Sequence, residues 1–122
     1  MSYTWMQGNS FSQIATIYSG NITLNTPCID YFEGAKWCII GIDKDSKKVA
    51  IKPVTESETK ENKFQLNTLN KVSIGKSYIR ISNKNVVKEI SKLVKKKSEN
   101  EKYNIDYNEK EKLLVIDLNK PI

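Results

Sequence analysis

The chain contains no histidine, a single arginine, Arg80, and only two cysteines among its 122 residues. These absences exclude several kinds of chemistry. Two cysteines without histidine cannot complete a four-ligand Cys/His zinc site. Nucleophile–histidine arrangements are ruled out, and the commonest general base is missing. Lysines, carboxylates and tyrosines remain, but no spacing among them marks a catalytic pair, so a binding protein rather than an enzyme is expected. Asp43-Lys44-Asp45-Ser46 opens like a calcium loop, yet it lacks the glycine and the distal glutamate and reads as a hairpin turn. No metal or cofactor is implied. No apolar run approaches the roughly 18 residues of a membrane helix. The start, MSYTWMQGNSFSQI, has neither a basic segment nor an apolar signal core. A soluble, cytoplasmic protein is expected, without membrane contact.

Cys38 alternates with Ile40 and Ile42, and Cys28 lies in a short helix-like stretch. Free cysteines commonly behave as small buried hydrophobes, so both are expected to be inert core thiols, with a disulfide or a reactive thiol as the alternative.

The hydrophobic fraction of 39% suffices for one modest core, which makes residues 1–122 a single domain. The net charge is +6. Residues 1–60 hold six lysines and six acidic residues, whereas residues 61–122 hold fourteen basic and eight acidic ones. The whole excess therefore lies in the second half, where it can attract nucleic acid or an acidic partner.

Patterning begins at IATIYSGNITLN, in which Ile17, then Ile22 and Leu24, flank the turn signal Ser19-Gly20-Asn21. This predicts a tight hairpin. Thr26-Pro27 supplies an N-cap residue and a proline at the first helical position, Asp30 falls in the first turn, and Gly34 can end the helix in a left-handed conformation. From Trp37 the period returns to two. DKDSKK forms a turn, and Val49 and Ile51 continue a strand that is expected to stop at Pro53.

Residues 14–54 thus read as hairpin, short helix, hairpin, and residues 55–70 as a polar linker with room for one short strand and anchors at Phe64, Leu66 and Leu69. The plan then restarts over residues 71–119. Val72 and Ile74 take the places of Ala15 and Ile17, and Ile79 and Ile81 those of Ile22 and Leu24, at an offset of 57. Ser82-Asn83 offers caps for a longer helix, where Val86, Val87, Ile90, Leu93 and Val94 form one apolar stripe. Beyond it Tyr103, Ile105 and Tyr107 repeat Cys38, Ile40 and Ile42, and Leu114, Ile116 and Leu118 repeat Val49, Ile51 and Pro53, at an offset of 65. The reading is a strand-rich α+β fold of two tandem units.

Hairpin, short helix, hairpin in under fifty residues resembles the swapped-hairpin fold of the AbrB and SpoVT family of bacterial transition-state regulators. Gly20-Asn21-Ile22-Thr23-Leu24-Asn25 falls on the family's Gly-Arg turn and strand, and VAIKPV, residues 49–54, on its closing strand. The resemblance implies an intertwined pair of units, here a pseudo-dimer barrel within one chain, and DNA binding by basic residues around the hairpins. Such a protein would be a transcriptional regulator or a mobile-element accessory protein, of phage or plasmid type. The family's arginine position holds Asn21 in the first unit and Tyr78 in the second, and its proline position holds Asn25.

The candidate DNA-binding residues are Lys71, Lys76, Arg80 and Lys84 around the second hairpin, and Lys88 and Lys92, which continue from Lys84 at intervals of four towards Lys95, Lys96 and Lys97. Cations so placed can neutralise phosphates; the competing reading is a solvated strand edge and an outward helix face. Trp5, Tyr31, Phe32 and Trp37 could form a stacking platform, although large aromatics in a small domain belong more often to the core. The partner is expected to be double-stranded DNA, or alternatively an acidic protein that meets the same scaffold as an interaction or inhibitor module. The assembly would be a monomer with an internal pseudo-twofold, or a homodimer.

Overall fold

Period-two alternation of Ile, Val and Leu with polar residues produces strands with one face buried. The computed structural model describes residues 3, 13–60, 68–95 and 100–122, and its strands are β1 (Ile14–Ile17), β2 (Asn21–Asn25), β3 (Ala35–Asp43), β4 (Lys48–Thr55), β5 (Asn70–Ile74), β6 (Tyr78–Ser82), β7 (Glu101–Asn108) and β8 (Leu113–Pro121). They close an antiparallel barrel in the order β1-β2-β6-β5-β3-β4-β8-β7, with β7 returning to β1. A closed barrel leaves no unpaired sheet edge. Its lumen is filled by Ile17, Ile22, Leu24, Val49, Ile51, Ile79, Ile81, Leu114 and Ile116, all essentially inaccessible to solvent.

Short helices start at the two ends of the β2–β6 ladder, one after Asn25 and one after Ser82. After β2 comes a 3-10 helix, Thr26–Phe32, whose Cys28 and Phe32 are buried. The expected Thr26 cap is corrected here. Asn25 stands at the N-cap, and its Oδ1 turns back to accept from the Ile14 N–H (2.9 Å) and the Cys28 thiol (3.5 Å), tying the helix to β1 instead of capping it. With Pro27 at the start and no capping bond, the segment winds as the tighter 3-10 form. Gly34 takes the left-handed conformation expected of it (φ 76°).

Helix α2 (Lys84–Val94) buries Val87 and Ile90 against the barrel. Asn83 caps it by accepting from the Val86 N–H (3.0 Å), and its amide donates to Asn70 Oδ1 (2.6 Å), which fixes the helix start to the first residue of β5. Replacing Asn83 with alanine removes both bonds. It is expected to lower stability by about 1–2 kcal/mol, measured by urea unfolding, with Asn83→Ser recovering part of the loss through its cap oxygen.

Three further expectations are modified. β4 does not stop at Pro53 but runs to Thr55, because the β4–β8 ladder ends at Ile51 and a missing N–H beyond it costs no rung. The linker opens with a short helix, α1 (Glu56–Lys60), capped by the Thr55 hydroxyl, which accepts from the Glu58 N–H (3.3 Å), and its residues 61–67 lie outside the described ones. Ile74 is 46% exposed where Ile17 is buried, since β5 meets β3 only at Asn70 and Lys71 and its far end runs past that neighbour. Trp5, Phe64, Leu66, Lys96 and Lys97 lie outside the described residues.

Candidate nucleic-acid interface

One half of the barrel wall is free of acidic residues. Residues 13–25 and 70–82, which make β1, β2, β5, β6 and their turns, contain Lys71, Lys76 and Arg80 and no carboxylate. The remaining four strands and their turns mix both signs. Because inward positions on these short strands are all aliphatic, their polar residues share the outer face, and the ladders set them side by side. Thr16 faces Thr23, Thr23 faces Arg80, and Arg80 faces Ser73. Asn21 lies opposite Ser82 and Asn25 opposite Tyr78. Beyond β1, Lys102 of β7 pairs with Thr16.

Arg80 is thus central in this face. Its guanidinium lies 5.3 Å from the Tyr78 ring centroid, and its Nη2 donates to the Tyr78 hydroxyl at 3.5 Å. The Tyr78 ring itself folds over the β5–β6 turn, where a Cβ on Gly75 would meet it at 3.4 Å. No described carboxylate pairs with Arg80. Stacking on tyrosine orders the arginine without neutralising it. Tyr18, Asn21, Thr23, Tyr78 and Arg80 line a shallow groove of about 320 Å³, with Tyr18 and Tyr78 each more than a third exposed.

The structure brings most of the predicted cations to this face or its rim. Lys71 points outward from β5 two residues before Ser73, and Lys76 occupies the exposed β5–β6 turn. Lys84 lies across the β1–β2 turn, with Cγ and Cε within 3.8 Å of the place a Gly20 Cβ would take, beside Tyr18 and Asn21. Lys88 and Lys92 follow on the exposed side of α2 and lead away from the groove; Lys92 also contacts Glu89 at 3.4 Å. Sequence reasoning passed over Tyr18, Thr23, Ser73 and Lys102. Alternation alone marks Tyr78, Arg80 and Ser82 as outward, whereas Lys102 joins the face only through the closing of the barrel.

The groups with shifted acidity lie elsewhere. Burial pushes the Cys28 thiol up to about 11, partly offset by hydrogen bonds with the Ile14 and Asn25 backbone, and burial alone pushes Cys38 up to about 12. Both cysteines are free and buried, as expected of core thiols. Tyr103 is raised by burial and by the charge of Glu101. Asp43, at the end of β3, is lowered by hydrogen bonds from Ser46 and Asp45, and Asp117, within β8, by the Asn119 N–H. The Asp43-to-Ser46 segment is a hairpin turn, and no metal-holding cluster occurs among the described residues.

The two thiols have a stability consequence. Each is more acidic in the unfolded chain, so their contribution is complete below about pH 8.5 and is lost as pH rises towards their folded values of about 11 and 12. The melting temperature is expected to fall between pH 9 and 11, and to fall less steeply in a Cys28→Ala/Cys38→Ala variant. Parallel curves for the two proteins would refute this.

Tyr31 and Tyr107 stack at 4.0 Å and 11° beside a second cavity of about 200 Å³, where Gln13 donates to the Tyr31 hydroxyl. Phe32 is core, Tyr31 and Trp37 are half-buried, and Trp5 lies outside the described residues. No helix among the described residues is long and apolar enough to cross a membrane. Comparisons with family models, with curated proteins and with solved structures gave no match.

Proposed function

We propose that the chain is two AbrB-like units folded into one pseudo-dimer barrel, and that it binds double-stranded DNA through the outer face of β1, β2, β6 and β5. The observation that carries the binding reading is this face itself: its strands and turns hold no carboxylate, and its central arginine is ordered on a tyrosine and paired with no described carboxylate.

The internal pairing is supported by registers. At the offset of 57, Ala15↔Leu24 in the first hairpin corresponds to Val72↔Ile81 in the third. At the offset of 65, Ile40↔Ile51 corresponds to Ile105↔Ile116. The turns correspond as well. Tyr18 N–H donates to the Asn21 carbonyl and Gly75 N–H to that of Tyr78, at 2.9 and 2.8 Å. Asp43 accepts from Ser46 and Asn108 from Glu111, both at 3.2 Å, and Lys47 and Lys112 each follow in a left-handed conformation. Exchanging β1–β4 with β5–β8 leaves the strand order around the barrel unchanged. The units differ at the linker helices and in their irregularities, β3 shifting register between Ala35 and Trp37 and β7 between Tyr103 and Ile105.

A gel-shift titration of the whole chain against duplex DNA tests the reading. If about four of Lys71, Lys76, Arg80, Lys84 and Lys88 contact phosphates, affinity is expected to fall roughly a hundredfold between about 50 and 200 mM salt. No retarded duplex at about 50 mM salt would overturn it. That result would favour the second reading, a scaffold that binds an acidic protein, for which Asn21 and Tyr78 at the family's arginine positions speak.

A further inference from the structure

We infer that the duplex recognised is non-palindromic, because the side chains on the two sides of the barrel's pseudo-axis differ in kind; this rests on the duplex-binding reading above. A symmetric dimer presents the same side chains to both halves of its site and therefore selects a palindrome. This barrel carries the corresponding backbone axis, but its side chains break it. At the offset of 57, Thr23 and Arg80 occupy equivalent positions, and they are also each other's cross-strand partners. The axis of the β2–β6 ladder therefore runs between them, and only one side has a cation.

The asymmetry spreads outward from that pair. Asn21 and Tyr78 are equivalent, as are Asn25 and Ser82, so one arm has an amide where the other has the tyrosine that orders Arg80. The equivalent turns read Tyr18-Ser19-Gly20 and Gly75-Lys76-Ser77, one neutral and one basic. The linkers differ too, and each starts beside the other unit's turn: α2, with Lys84, Lys88 and Lys92, beside the neutral first turn, and the 3-10 helix, with Asp30 and no lysine, beside the basic one, where the Thr26 hydroxyl donates to the Ser77 carbonyl (2.8 Å). Lys84 reaches over the first turn, so even the neutral arm meets DNA beside a cation supplied by the other unit. An arginine near the axis reads a base edge or a phosphate on one strand, and no second arginine repeats that contact across the axis.

The test is enrichment of a duplex library with a randomised core by the full-length protein, followed by phosphate-ethylation interference on the selected site. A consensus without dyad symmetry is expected, with an interference pattern that the dyad does not repeat. Arg80→Thr should lower affinity for that site roughly tenfold. Thr23→Arg, which places the same residue on both sides of the axis, should move the enriched consensus towards a palindrome. Melting curves of both variants establish that they are folded, and the interference pattern of the unmodified protein stands without them. A palindromic consensus with evenly spread contacts overturns this inference and leaves DNA binding intact. Failure to enrich or retard any duplex at about 50 mM salt overturns the binding reading, and this inference with it.

Discussion

Residues 1–60 expressed without the rest of the chain are expected to give no folded monomer, and mixing with residues 61–122 is expected to restore a cooperative unfolding transition. The reason lies in which strands touch. Within the first half, β1 pairs with β2 and β3 with β4, but neither hairpin shares a ladder with the other. Every ladder from either hairpin to another strand goes to the second half: β2 to β6, β1 to β7, β3 to β5 and β4 to β8. A lone two-stranded hairpin is marginal in water, and two separate ones gain little from one short helix. Circular dichroism and size-exclusion chromatography of each half, alone and mixed, measure this. A monomeric first half that melts cooperatively would refute it.

Reversing two charges, Arg80→Glu with Lys84→Glu, is expected to weaken duplex binding by at least about a hundredfold at about 50 mM salt, since each lost phosphate contact removes roughly a factor of ten there. The slope of log affinity against log salt should become shallower by about 2. Stability should hardly move, because both side chains are exposed and surface changes of this kind stay within about 0.5 kcal/mol. Binding isotherms at several salt concentrations, paired with melting curves, separate the two effects. Unchanged affinity in a folded double variant would remove Arg80 and Lys84 from the interface.

The strands were the most legible part of the sequence. Ile22 and Leu24, Ile79 and Ile81, Val49 and Ile51, and Leu114 and Ile116 announce half-buried strands by alternation, and each pair lines the lumen. The cap at Asn83 was legible for a similar reason, since it sits directly before an apolar stripe of helical period. What failed was decided by neighbours distant in sequence. Asn25 is drawn away from capping by the Ile14 N–H, Pro53 is tolerated because β8 has already left β4, and Ile74 is exposed because β3 ends its pairing early. Of the site, the cations were visible as a charge excess. The acid-free face was not, because it depends on the barrel bringing residues 13–25 beside residues 70–82.

The closing seam between β1 and β7 has a consequence for how the protein is made. Of the described strands β1 is made first, and its Ile14 pairs with Asn104 of β7, made after five other strands. Until β6 and β7 are made, β1 and β2 must wait with Ile17, Ile22 and Leu24 uncovered, and a barrel so rich in distant pairings folds slowly. Two nascent chains on one messenger therefore offer each other the same complementary strands that each will later supply to itself. Exchange between neighbouring copies, rather than simple misfolding, is the hazard that this topology sets for the cell.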